Sequence, residues 1–236
     1  MNPIDKPQSM VNWQASRVRE NIAGWWRMSE QMASIARYSG RSRRSKNRGD
    51  GRKDLLFSNA KPTDIEGDAM GGEMFLAWLF NVCPDLSCIY ERDAVDATIG
   101  VTGLLATDVK TNRRQDDHPT LTANLWDEDH RAIIYACVQG RLPCFRFVGW
   151  TWAQYLFGKN ENELPRNIAN IPAAATRDGK GRQVYQLAYD QVLSPESLWD
   201  LQMAVEVEQT ATEFTARLPS GKTVVIPATQ HGVAWR

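Results

Sequence analysis

The sequence predicts an α/β or α+β protein in which helices flank a central mixed β-sheet. Three observations carry that reading. Apolar residues recur at helical spacing in two early stretches, Val11–Ile35 and Asp64–Asn81. Between Ala97 and Trp150 the pattern changes to short β-type runs punctuated by Gly and Pro. A Ser-Pro helix start at Ser194-Pro195-Glu196 then returns the chain to helix.

The first helix is expected from a Ser9 cap. Val11, Val18, Ile22, Trp25, Met28, Met32 and Ile35 line one face of it, and it ends near Tyr38-Ser39-Gly40. Trp25-Trp26 read as core rather than as a base-stacking platform. The run Arg41–Lys53 (RSRRSKNRGDGRK) contains no hydrophobic residue and reads as a solvated, phosphate-contacting loop. Its candidates for nucleic-acid contact are Arg41, Arg43, Arg44, Lys46, Arg48, Arg52 and Lys53. Net charge is zero, from 28 Lys and Arg against 28 Asp and Glu, but residues 1–60 hold twelve of the cations and five of the acids. A basic head on an acidic body suggests a polyanion gripped at one end, and nucleic acid is the usual one.

The second helix, Asp64–Asn81, carries a Gly71-Gly72 pair that costs roughly 1 kcal/mol per glycine against alanine. Either the helix begins at Gly72 or another backbone comes close there. Strands follow at Ala97–Val101, Leu104–Val109, Ala132–Val138 and Cys144–Trp150, with turns at Thr102-Gly103 and Gly140–Pro143. The stretch Asn112–Arg131 between them reads as a polar loop, whose Arg113 and Arg114 are candidates for phosphate contact. Its His118 and His130 lack the spacing of a zinc site. A short helix is expected at Trp152–Phe157, a loop-rich stretch at Asn160–Arg182, and a helix from Ser194 through Leu201. The tail Glu213–Ala228 reads as a β-hairpin turning at Pro219-Ser220-Gly221. The domain reading is a helical, basic extension over 1–60, a core over 61–205 and a hairpin tail over 206–236.

Composition excludes several classes. With 42% hydrophobic residues and nine Trp the chain is not disordered. Its longest apolar run, around Met74–Phe80, is far too short to span a bilayer, and the polar start Met1–Ser9 does not resemble a signal peptide. Cys83, Cys88, Cys137 and Cys144 form no CxxC pair and read as buried, reduced thiols of a cytoplasmic protein. Neither GxGxxG nor GxxxxGK[ST] occurs, so nothing points to ATP, and no GxSxG elbow points to a hydrolase triad.

The chemistry concentrates in Asp96–Lys110 (DATIGVTGLLATDVK). Asp108 and Lys110 are two apart on a strand and share a face, while Val109 points the other way. An acid-x-Lys triplet means nothing alone, since eight lysines among 28 acids give about one by chance, and Asp178-Gly179-Lys180 is another. Context separates the two. If the connection is a three-residue loop Val101-Thr102-Gly103 with Gly103 left-handed, Gly100 pairs with Leu104 and Asp96 falls opposite Asp108, their Cβ atoms about 5 Å apart. A two- or four-residue loop would bring Asp93 to that face instead. Carboxylates that close repel unless a cation lies between them. A hard ion such as Mg²⁺ takes carboxylate oxygens, and a neighbouring lysine can orient one of its waters.

The order helix–Glu, strand–Asp, turn, strand–(D/E)xK resembles the PD-(D/E)XK nuclease superfamily. Gly71-Gly72-Glu73, Asp96 and Asp108-Val109-Lys110-Thr111 look like its small phage and bacterial members, as do the strand into Gly149-Trp150-Thr151 and the later Tyr185–Leu193. The likeness covers residues 66–200. It departs from the pattern at Val95, where the eponymous Pro would stand, and in using Asp108 rather than Glu. The resemblance implies a restriction-endonuclease-like core and a Mg²⁺-dependent DNA nuclease, with Mn²⁺ as a substitute. Asp96, Asp108 and the Val109 carbonyl would hold the metal and Glu73 would join them, with Glu66 as its rival. Lys110 would position the attacking water and stabilise charge on the phosphate. Endonuclease action is expected, and since many enzymes of that fold work as dimers, a homodimer is too. The alternatives are a catalytically idle protein that binds nucleic acid or a partner protein, and a nuclease acting on RNA.

Overall fold

The computed structural model describes residues 4–5, 19–49, 62–86, 95–99, 105–114, 117–125, 127, 132–158, 167–173, 181–210 and 213–227. The architecture is mixed α/β. Six strands form the central sheet: β1 (Ile4–Asp5), β2 (Trp25–Arg27), β3 (Ala97–Ile99), β4 (Leu105–Asn112), β6 (Ile134–Arg141) and β7 (Cys144–Trp152), in the order β1-β2-β7-β6-β4-β3. β4 runs parallel to β6, whereas β3–β4, β6–β7 and β2–β7 are antiparallel.

Helices α1 (Glu30–Gly49), α2 (Pro62–Leu79) and α4 (Pro195–Met203) supply the large core on the sheet. Ile134, Ala136 and Val138 of β6 join it, with Phe75, Leu76, Phe80, Leu198 and Trp199. The alternate residues Tyr135 and Cys137 enter a second core, shared with β5 (Thr120–Asn124), β9 (Arg182–Ala188) and α3 (Ala153–Leu156). β5, β9 and β8 (Ile168–Ile171) form a sheet of their own. Strand periodicity of two thus divides β6 between two cores. β10 (Glu206–Gln209), β11 (Glu213–Arg217) and β12 (Thr223–Pro227) make a third sheet, attached where Phe214 stacks on Trp152 at 3.8 Å. Among the described residues no helix is long and apolar enough to cross a membrane.

Several expectations are met and others corrected. The helix expected over Asp64–Asn81 is α2, and the four central strands fall within a few residues of their predicted positions. The Ser-Pro start opens α4, and the tail hairpin is β11–β12. The first helix differs. Its Ser9 start lies outside the described residues, Trp25–Arg27 is a strand, and α1 begins only after Ser29, whose hydroxyl accepts from the Met32 amide at 3.2 Å. Nor does it stop at Gly40: the expected loop from Arg41 is helix as far as Gly49, since Arg, Lys, Ser and Asn are all permitted in a helix. Trp26 is core as expected, edge-on to Trp78 at 6.0 Å, while Trp25 is half-buried under the Arg146 guanidinium. The polar loop contains β5, the loop-rich stretch contains β8, and the tail carries β10 beside its hairpin. All three are short strands of four or five residues that pair with neighbouring strands. Cys83 is exposed, contrary to expectation, because it follows the end of α2, whereas Cys137 is buried and burial pushes its thiol up to about 12.

The glycines of the helical layer mark close approaches. A Cβ on Gly72 would stand 2.0 Å from Thr111 Oγ1, so α2 lies directly on β4 and the glycine pair sits inside the helix. A Cβ on Gly40 would lie 2.5 Å from the Glu66 carbonyl oxygen, a backbone atom that cannot swing aside. Gly40→Ala is therefore expected to destabilise the protein by about 1–2 kcal/mol, overpacking outweighing the roughly 1 kcal/mol that alanine gains in a helix. Thermal melting of the variant checks this; a Tm at or above the parent's would rule out so close a crossing.

Candidate active site

β3 pairs with β4 through Ala97↔Thr107, Thr98↔Ala106 and Ile99↔Leu105, the register expected from a three-residue loop. Beyond Ala97 the ladder is irregular: the Asp96 amide donates to the Thr107 carbonyl at 3.0 Å, one residue out of the regular register, so Asp96 lies at the ladder's end alongside Thr107–Val109 and not squarely opposite Asp108 as expected. Its carboxylate turns inward, and Oδ2 accepts the Val109 amide at 2.7 Å. Val109, expected to offer a carbonyl, is engaged here through its N–H, and its side chain enters the large core. Asp93 lies outside the described residues.

Glu73 projects from α2 into the same space and is 5% exposed. It is the helix carboxylate whose field reaches Asp96; Glu66 sits two turns earlier, where its carbonyl meets Gly40. Burial comes first among the causes that raise these acids. It pushes Glu73 up to about 7, with Arg43 opposing and Asp108 adding to the rise. Asp96 stands well above the usual carboxylate range, from burial and then from the charges of Glu73 and Asp108. The three acids repel one another where Glu73 and Asp108 are buried and Asp96 is half-buried.

Two protein cations answer that repulsion. Arg43 of α1 donates one guanidinium nitrogen to both Glu73 oxygens at 3.0 Å and another to the Asp85 carbonyl at 3.3 Å. The Lys110 ammonium lies 2.9 and 3.1 Å from the two Asp108 oxygens and 2.8 Å from Asp127 Oδ2. Burial works against the Lys110 charge, but Asp108 and Asp127 outweigh it and hold its pKa above the ordinary lysine range. The Tyr135 ring lies beneath the ammonium at 5.5 Å.

Asp127 and the role of Arg43 were not found by sequence reasoning. Asp127 belongs to an acidic run, Asp127-Glu128-Asp129, and no spacing sets it apart from its neighbours. The basic candidates divide once their side chains are placed. Arg41 and Lys46 are exposed on α1, and Arg114 is exposed just past the end of β4. Arg43 is committed to Glu73. Arg44 is 5% exposed and faces inward, so it is no surface contact. Arg113 is half-buried and bound to Asp68 at 2.6 Å, which ties β4 to α2. The Arg48 side chain, Arg52 and Lys53 lie outside the described residues, as does His130, and His118 is exposed.

Glu73, Asp96 and Asp108 feel one another's charge, which adds to the effect of burial on Glu73 and Asp96. In the present arrangement Arg43 and Lys110 take the oxygens of Glu73 and Asp108. Among the described residues no three His, Cys, Asp or Glu side chains converge to hold a metal. Comparison with protein-family models, with curated proteins and with solved structures gives no match.

Proposed function

We propose that the protein is a metal-dependent nuclease hydrolysing DNA phosphodiester bonds, with a restriction-endonuclease-like core. The observation that carries the reading is the meeting of Glu73, Asp96, Asp108 and Lys110, from one helix and two strands, in one buried space beside a basic helix. Supporting it, Asp96 at the end of the β3–β4 ladder bonds to Thr107 through its amide and accepts the Val109 amide on its carboxylate, on either side of Asp108. The resemblance assigns metal-holding to Asp96, Asp108 and Glu73. A divalent cation bound there would polarise the phosphate and lower the pKa of a water.

The chain's own residues do the rest. In hydrolysis the water oxygen bonds to phosphorus as the water gives up a proton to solvent, and the phosphorus–oxygen bond to one sugar breaks, the leaving sugar oxygen taking up a proton from solvent to become a hydroxyl. Lys110, held charged between two carboxylates, is a donor and not a base: its ammonium orients the water and draws charge from the phosphate oxygens. Arg41, Lys46 and Arg114 are exposed cations suited to the phosphate backbone on either side.

The test is cleavage of linear duplex, supercoiled plasmid, single-stranded DNA, a four-way junction and RNA, each with Mg²⁺, Mn²⁺ or EDTA, beside Asp108→Ala. Metal-dependent cutting that vanishes in the variant is the expected result. Asp108→Ala leaves Lys110 anchored on Asp127, so the variant should melt near the parent. One observation favours a second reading: Arg43 and Lys110 already neutralise the acids, as in a structural ion-pair network. Binding of DNA without cutting on any substrate would establish that idle form, and cutting of RNA alone would change the substrate class.

A further inference from the structure

Lys110 has two carboxylate partners, and only one belongs to the motif that the sequence singles out. Asp108 is the partner expected to turn to a divalent cation. An ammonium and a cation compete for the same two oxygens, so a lysine held by Asp108 alone would lose its anchor whenever the metal bound.

Asp127 is built differently. It is 2% exposed, and its Oδ2 accepts the Asn124 amide at 2.9 Å as well as the Lys110 ammonium at 2.8 Å. Its carbonyl accepts the Tyr135 hydroxyl at 3.0 Å. Tyr135 is itself fully buried on β6, paired in register with Asp108, and its ring underlies the same ammonium. Asp127 is therefore fixed by β5 and β6 without help from the carboxylates of α2, β3 and β4.

Resting on the nuclease reading, we infer that Asp127 is the positioning residue for Lys110. It anchors the ammonium independently of Asp108, so that Asp108 can turn to a divalent cation while Lys110 stays aimed at the reacting phosphate.

The test uses Asp127→Asn, which keeps the shape and the acceptor for Asn124 but removes the charge. Three quantities are read: kcat and KM on the best substrate of the cleavage panel, Ca²⁺ and Mg²⁺ affinity by calorimetry, and the Lys110 ammonium resonance in a lysine-selective ¹H–¹⁵N spectrum. The expected result is a fall in kcat of about ten- to a hundred-fold, with KM and cation affinity within about two-fold of the parent. The Lys110 resonance should be lost in Asp127→Asn and retained in Asp108→Asn. Asp127→Glu, which restores the charge, should recover part of kcat. An unchanged kcat in Asp127→Asn, or a resonance lost in Asp108→Asn and kept in Asp127→Asn, overturns the inference while the nuclease stands. A large loss of cation affinity in Asp127→Asn overturns it by making Asp127 a ligand. A parent protein that neither cuts any substrate nor binds either cation overturns the nuclease reading, and this inference with it.

Discussion

Lys110→Ala is expected to abolish metal-dependent cleavage and to destabilise the fold by about 3 kcal/mol, because a buried ion pair broken from one side leaves uncompensated charge behind. The carboxylates that lose the ammonium are Asp127, which is 2% exposed, and Asp108, which is 8% exposed. Among the described residues Asp127 keeps the Asn124 amide on that oxygen, and Asp108 loses its ammonium bridge. From the sequence alone, both Asp108→Ala and Lys110→Ala would be expected to leave the fold intact. The structure separates them: without Asp108 the ammonium keeps Asp127, whereas without Lys110 two acids lose their common cation. Urea denaturation of both variants at neutral pH, beside the cleavage assay, reads the difference. A Lys110→Ala protein as stable as the parent would mean that the bridge behaves like a solvated surface pair, worth under about 1 kcal/mol.

In EDTA, the protein is expected to be more stable at pH 5.5 than at pH 8, by about 2 kcal/mol from Glu73 alone. The sign follows from the direction of the shift. Glu73 titrates near its ordinary value in the unfolded chain and at about 7 in the fold, so between those values the folded protein holds a proton that the unfolded chain has released. Stability from this group is complete at low pH and is lost as pH rises through 7. Asp96 is raised as well and works in the same direction. Glu73→Gln, neutral at every pH, should reduce the slope. Chemical denaturation at the two pH values provides the measurement, and stability that rises towards pH 8 in the parent would contradict the burial of these acids. The two stability readouts concern the metal-free protein and hold whatever the cluster does.

What the sequence determined by itself is the local order of the site. A period of two places Asp108 and Lys110 on one face of a strand and Val109 on the other. Two apolar runs flanking a Gly-containing turn predict the β3–β4 register, Ala97 with Thr107, that brings Asp96 close to the Asp108 strand. A helical period, with a glycine pair at its centre, brings Glu73 to α2. Each of these depends on residues a few positions apart, where steric preference and side-chain alternation act without help from the rest of the chain. The tertiary structure decided which charges answer the acids. Arg43, Arg44 and Lys46 are equivalent as letters in a basic run, yet one binds Glu73, one is buried and one faces solvent, because α1 crosses α2 at Gly40 and that contact sets its rotation. Asp127 is likewise one acid among several until β5 pairs with β9 and Tyr135 pins its carbonyl. Electrostatic partners are chosen by distance in space, and a buried charge takes whichever counter-charge the packing brings within about 3 Å, a choice that no local period in the sequence encodes.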